Sequence, residues 1–183
     1  MPEKSIHIRY YAPVDENHIK RLMEVVEQKL REGATRFVIL ISSPGGNVAH
    51  GLSAYNFLKG IPAEVITHNF GSVVSMALVL YCAGSKRFSA PHATFLLHAV
   101  QANFPQGASL EEKQLEERLK ALQLDIENIA GVIAANIGKS EEEVVKAMLE
   151  RKTLNPEQAV EFGLVHEITE KLFDKGVELI SIQ

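Results

Sequence analysis

Three short stretches of this sequence carry residue types that together can move an acyl group. The run NFGSVVSMALVLYCAGSKRF, residues 69–88, sets Ser75 among apolar neighbours, and a buried hydroxyl needs a hydrogen-bond partner. Ser75 is either a small residue that lets a helix pack closely, bonding back to the preceding turn, or a nucleophile. In the second case Met76 offers its backbone N–H beside it, and a helix beginning near Ser72 puts Ser75 in the first turn, where free N–H groups favour negative charge. Ser72 is the rival hydroxyl, but its expected place is the helix cap. The stretch ISSPGGN, residues 41–47, pairs glycines whose N–H groups no Cβ obstructs, which suits a developing oxyanion. Pro-Gly-Gly also makes an ordinary tight turn. His98 closes the apolar stretch TFLLH; an imidazole there can reach a neighbouring helix start as general base to a serine, or be a satisfied structural histidine. The other six histidines are scattered, and no Cys/His spacing suits a metal.

The elements that position these groups read as alternating strands and helices. Residues 5–11 alternate as a first strand closed by Pro13, and Asp15 caps a helix through Arg31 that Gly33 ends. RFVILISS, residues 36–43, is a continuously apolar run before a turn, the pattern of a strand buried on both faces of a parallel sheet. A helix over 48–59 follows, then strand AEVITHNF, the helical run after Gly71, and strands RFSA and TFLLHAV. This order predicts an α/β fold with right-handed crossovers and a mostly parallel sheet. After a polar loop, Ser109 and Glu112 have the form of a capping box for a helix to Ile137, about 43 Å long. Its first half is charged and its second half apolar, so it reads as an arm whose apolar side needs a cover. Ser140 with Glu143 caps the next helix, Asn155-Pro156 caps a short one that Gly163 ends, and LVHEI is the expected final edge strand.

Composition removes several function classes. With 183 residues, 46% apolar and 23% charged, the chain is an ordinary globular one rather than a disordered or fibrous one. A net charge of −4 without a basic cluster gives no support for a nucleic-acid surface. The single cysteine, Cys82, cannot form an internal disulfide, which suits a reducing compartment. The N-terminus lacks a signal-peptide core, and the apolar run 73–84 is too short to cross a bilayer. The expected location is cytoplasmic, with no cofactor and no metal.

Taken in order, S-P-G-G, G-x-x-x-S-M, A-G-x-K-R-F, a strand ending in His, and NPEQAVEFGLVHEI resemble the proteolytic subunit of the ATP-dependent Clp protease over residues 38–168. The resemblance implies the Clp/crotonase fold of stacked β-β-α units in a single domain, with a head over about 1–102 and 139–183. A protruding helical handle over about 103–138 completes it. It implies serine-dependent hydrolysis of peptides or unfolded proteins, with Ser75 as nucleophile, His98 as general base, and the N–H groups of Gly46 and Met76 as oxyanion hole. It also implies a homo-oligomer of stacked heptameric rings joined through the handles.

The match departs at three places. Aligning AVEFG without a gap puts Arg151 where the family's catalytic aspartate sits, and a cation cannot orient an imidazole or stabilise imidazolium. Glu150 is one residue away, and the side-chain oxygen of Asn155 is the weaker substitute. The first strand begins almost at once, so the family's axial-loop segment is expected to be absent and docking to an ATP-driven unfoldase is not implied. H-Q-P after the base reads HAV here. The alternative to a working peptidase is a catalytically weak or inactive Clp-like subunit with an assembly or regulatory role. Two other chemistries remain: a serine/lysine enzyme using Lys113 or Lys120, and an acyl-CoA enzyme using the glycine turn. His98 favours the peptidase over both.

Overall fold

The computed structural model describes residues 4–102, 104, 106–107 and 109–183. Strand β1 (Ser5–Tyr10) leads into helix α1 (Glu16–Arg31), whose N-terminal N–H groups are met by Asp15: its carboxylate accepts from His18 N at 3.0 Å. Gly33, at φ 87°, supplies the left-handed residue that ends the helix. Strand β2 (Arg36–Ser43), helix α2 (Val48–Gly60), strand β3 (Glu64–Val74) and the six-residue helix α3 (Met76–Tyr81) follow. Next come strands β4 (Lys86–Ser89) and β5 (Thr94–Leu96), then helices α4 (Glu112–Ile137) and α5 (Glu141–Leu149). Strand β6 (Thr153–Leu154), helix α6 (Pro156–Glu161) and strands β7 (Glu167–Ile168) and β8 (Leu179–Ile182) complete the chain.

The main sheet runs β6-β5-β3-β2-β1-β8, and β4 branches from β3 to carry β7. Every pair is parallel except β5 with β6. The fork arises because β3 pairs through residues 66–69 with β4 and through residues 72–74 with β5. Asn69 manages the switch: its amide donates to the Thr94 carbonyl at 2.8 Å and its Oδ1 accepts from Gly71 N at 3.0 Å. Stacked β-β-α layers result, as the sequence led us to expect.

The core lies between this sheet and its helices. All of α3 is buried, and Phe37, Ile39, Phe95 and Leu80 are fully enclosed, each such side chain contributing about 1.5–3 kcal/mol. Cys82 is also enclosed, and burial pushes its thiol up to about 11, so it behaves as an apolar residue rather than a reactive one.

Three expectations need correction. LVHEI contributes β7, but the final strand is β8, which returns to pair with β1. The capping box of α4 is built by Glu111 and Gln114 rather than by Ser109 and Glu112. And the apolar second half of α4 is already covered, with Ile129, Ala130, Ile133 and Ala134 buried, while the leucines of its charged first half, Leu115, Leu119 and Leu124, stand exposed. Of the loop before α4, Asn103, Pro105 and Ala108 lie outside the described residues.

Arg87 of β4 ties the layers together. Its side chain is 4% exposed and donates to four carbonyls: Leu164 at 2.7 Å, Asn136 at 2.8 Å, Gly163 at 3.2 Å and Gly84 at 3.3 Å. Asn136 lies at the C-terminal end of α4, and Gly163 and Leu164 lie just beyond α6, where helix carbonyls lack partners and attract a cation. Replacing Arg87 by Met strands these carbonyls and is expected to lower stability by about 3 kcal/mol. Lys86→Gln, on the exposed neighbour, should change it by less than about 0.5 kcal/mol, both read from urea unfolding midpoints.

His68, on β3, is buried, 2% exposed, beside Phe88. Its Nε2 has no partner among the described residues. Burial pushes the imidazole from 6.5 down to about 4, against a smaller opposing contribution from a Thr169 backbone hydrogen bond. The unfolded chain therefore binds more protons than the folded one between these values. Stability is complete above the ordinary histidine range and falls as pH drops toward about 4, by on the order of 3 kcal/mol from this group. His7, in the same hollow, is also lowered by burial and adds with the same sign. Unfolding midpoints at pH 7 and 4.5 should differ clearly in the wild type and less in His68→Phe.

Candidate active site

Ser75 occupies the one-residue junction between β3 and α3. Its backbone, at φ 56° and ψ −125°, is in a region that costs a side-chain-bearing residue about 1–3 kcal/mol. The conformation is pinned on both sides: Ser75 N donates to the Leu96 carbonyl at 2.9 Å, and Leu78 N donates to the Ser75 carbonyl at 2.9 Å. The hydroxyl makes no capping bond. Ser75 thus lies ahead of the helix rather than in its first turn, because the β-branched pair Val73-Val74 extends the strand. Ser72 is not a helix cap either. It is a strand residue whose N–H donates to Ser42 Oγ and whose Oγ accepts from Thr94 Oγ1, both at 3.2 Å.

The Pro-Gly-Gly turn passes directly beneath this junction. At Gly45, φ 82°, a Cβ would meet the Val74 carbonyl oxygen at 2.5 Å, Ser75 Cβ at 2.8 Å and Met76 N at 3.0 Å. A Cβ on Gly46 would collide with the Val14 carbonyl. The turn is held by Val14, whose N–H donates to the Gly45 carbonyl and whose carbonyl accepts from Asn47 N, each at 2.8 Å, and by Gly45 N donating to Ser43 Oγ at 3.2 Å. This pattern uses the N–H groups on either side of Gly46 but not its own. The N–H groups of Gly46 and Met76 have no acceptor among the described residues.

His98 lies two residues past β5, in a segment held where Leu97 N donates to the Lys152 carbonyl at 2.9 Å. It was expected at the strand's end; the strand stops earlier, at Leu96. Its Nδ1 is 2.8 Å from the carbonyl oxygen of Ala99. A carbonyl only accepts, so this contact is a hydrogen bond when Nδ1 carries the proton, which leaves the Nε2 lone pair free. No hydrogen bond joins the Ser75 hydroxyl to His98 among the described residues. Both nevertheless line one cleft of about 660 Å³, together with Gly46, Met76, Leu97, Asp125, Ile129, Ile133 and Met148.

Arg151, at the position of the family's aspartate, and the two candidate substitutes, Glu150 and Asn155, lie outside the cleft. Arg151 is exposed at φ 53°. Glu150 is exposed, with its carboxylate 3.9 Å from Lys146. The Asn155 side chain accepts from Gln158 N at 2.8 Å as the cap of α6. None of the three, and neither Lys113 nor Lys120, lines the cleft. Sequence reasoning missed Asp125 and the apolar wall of α4. Their signal was the four-residue spacing Asp125, Ile129, Ile133, which puts them on one face of the helix. Among the described residues no group of three or more His, Cys, Asp or Glu converges to hold a metal, and no helix is long and apolar enough to cross a membrane.

Gly45→Ala should both destabilise the fold, by about 2 kcal/mol or more, and displace Ser75. Gly60→Ala, where no neighbour lies within 4 Å of the added carbon, should leave the thermal midpoint within a degree or two.

Residues 3–172 match the sequence model of the family described as Clp protease. The ATP-dependent Clp protease proteolytic subunit of Dehalococcoides mccartyi strain 195 is 31% identical over 135 residues, covering 73% of this chain and 66% of that one. Proteolytic subunit 2 of Corynebacterium efficiens is 31% identical over 162 residues, covering 86% and 79%. The solved structure of a ClpP1 point mutant from Listeria monocytogenes superposes with a TM-score of 0.79 at 25% identity, over 92% of each chain.

Proposed function

This chain belongs to the Clp protease family, and on that premise we propose that it is a serine peptidase acting on peptides or unfolded proteins. The observation that carries the reading is the strained, uncapped Ser75 in one cleft with His98 and the unused N–H groups of Gly46 and Met76. The Ser75 oxygen attacks the substrate carbonyl carbon while its proton passes to His98 Nε2. The carbonyl oxygen becomes an oxyanion that accepts from Gly46 N and Met76 N. Collapse breaks the C–N bond, and the Nε2 proton leaves on the amine. Water then hydrolyses the acyl-enzyme with His98 again as base.

The Ala99 carbonyl does part of a carboxylate's work. It selects the tautomer with Nε2 free, but its dipole stabilises imidazolium less than a full charge would. The loss of about 10⁴ in turnover that follows when the wrong tautomer is selected is therefore an upper bound for this dyad. The contact with Ala99 also favours the second reading, a catalytically weak subunit with an assembly role. Assembly into a homo-oligomer of stacked rings is part of the proposal, supported by the exposed leucines Leu115, Leu119 and Leu124 on α4.

A fluorophosphonate probe separates the two readings. An activated Ser75 becomes labelled, as peptide mass spectrometry will show, and both labelling and peptide hydrolysis vanish in Ser75→Ala. A wild-type protein left unlabelled after prolonged exposure is the weak subunit.

A further inference from the structure

Asp125 has no task in the steps above, yet among the described residues it is the single carboxylate lining the cleft, whose other walls are mainly apolar or backbone. It makes no hydrogen bond or ion pair among the described residues. The positions that could neutralise it along α4 are Ala121, Leu122, Asn128 and Ile129, none of them cationic. It is partly buried, and its carboxylate stands in the cleft with no lysine or arginine among the lining residues. Asp125 does not serve His98 either, because the Nδ1 proton is already taken by Ala99.

Resting on the peptidase reading, we propose that Asp125 is a specificity-determining residue. It selects substrates with a long cationic side chain, lysine or arginine, on the residue that supplies the attacked carbonyl. That side chain branches from the carbon bonded to the carbonyl at Ser75, so it must enter the same cleft. Ile129, Ile133, Leu97 and Met148 suit its aliphatic stem, and the carboxylate receives its charged end, where a charge-assisted hydrogen bond gains most from the partly dry surroundings. A neutral side chain of equal length leaves Asp125 unpaired, and an acidic one opposes it.

The test uses fluorogenic peptides identical except for lysine, norleucine or glutamate at that residue. Their cleavage is measured on the full-length protein and their binding on Ser75→Ala, where hydrolysis is removed. The lysine peptide should exceed norleucine by about tenfold or more in kcat/KM and in affinity. Asp125→Asn should collapse that ratio to near unity, Asp125→Glu should largely keep it, and Asp125→Lys should turn the preference toward glutamate. Cleavage without a lysine preference, or a preference indifferent to Asp125→Asn, overturns the proposal and leaves the peptidase reading intact. Selective binding to Ser75→Ala that needs Asp125, with no cleavage by the wild type, keeps the recognition site and overturns the peptidase. Neither binding selectivity nor cleavage overturns both.

Discussion

The site depends on one backbone constraint: a serine held at positive φ over a glycine turn that approaches too closely for any side chain. Left to itself, a chain carrying the β-branched residues Val73 and Val74 would continue as strand, and one carrying Met76 and Ala77 would continue as helix. The one-residue junction lets both happen and leaves the hydroxyl outside either hydrogen-bond ladder. Its strain persists because the neighbours over-determine it. Leu96 on one flank, Leu78 on the other and Gly45 below leave Ser75 little other place to go.

Backbone geometry also accounts for the two donors. Val14 bonds to Gly45 and Asn47 and skips Gly46, so one N–H is left over by the turn's own pattern. The second belongs to Met76, the first residue of α3, where no earlier turn exists to accept it. Neither donor comes from a side chain, but position 46 admits only glycine, because a Cβ there would collide with the Val14 carbonyl. His98 is fixed differently, through its own following carbonyl at Ala99. A carbonyl orients the ring without adding charge, so under the proposed mechanism the tautomer is set while electrostatic support is reduced.

Much of this was legible in the sequence because it is local. Asp15, Ser140 and Asn155 cap the helices they were expected to cap, and the apolar run of β2 ends at the turn it was expected to reach. What escaped was non-local or ambiguous in period. Residues 71–84 read as one helical run because a continuous apolar stretch shows neither the strand nor the helix repeat, and only pairing with β5 decides that residues 72–74 are strand. Strand β8 forms because β1 offers an edge at the far end of the chain. The cover over the second half of α4 and the place of Asp125 in the cleft follow from how that helix docks, which spacing alone does not reveal.

The central claim is that the Ser75 oxygen and two backbone donors surround one tetrahedral centre. A crystal structure of the protein reacted with a peptide boronic acid tests it directly. The account predicts boron bonded to Ser75 Oγ, with one boronate oxygen within hydrogen-bond distance of both Gly46 N and Met76 N and another facing His98 Nε2. A boronate bound elsewhere, or bonded to Ser75 with its oxygens turned from both amides, would contradict it.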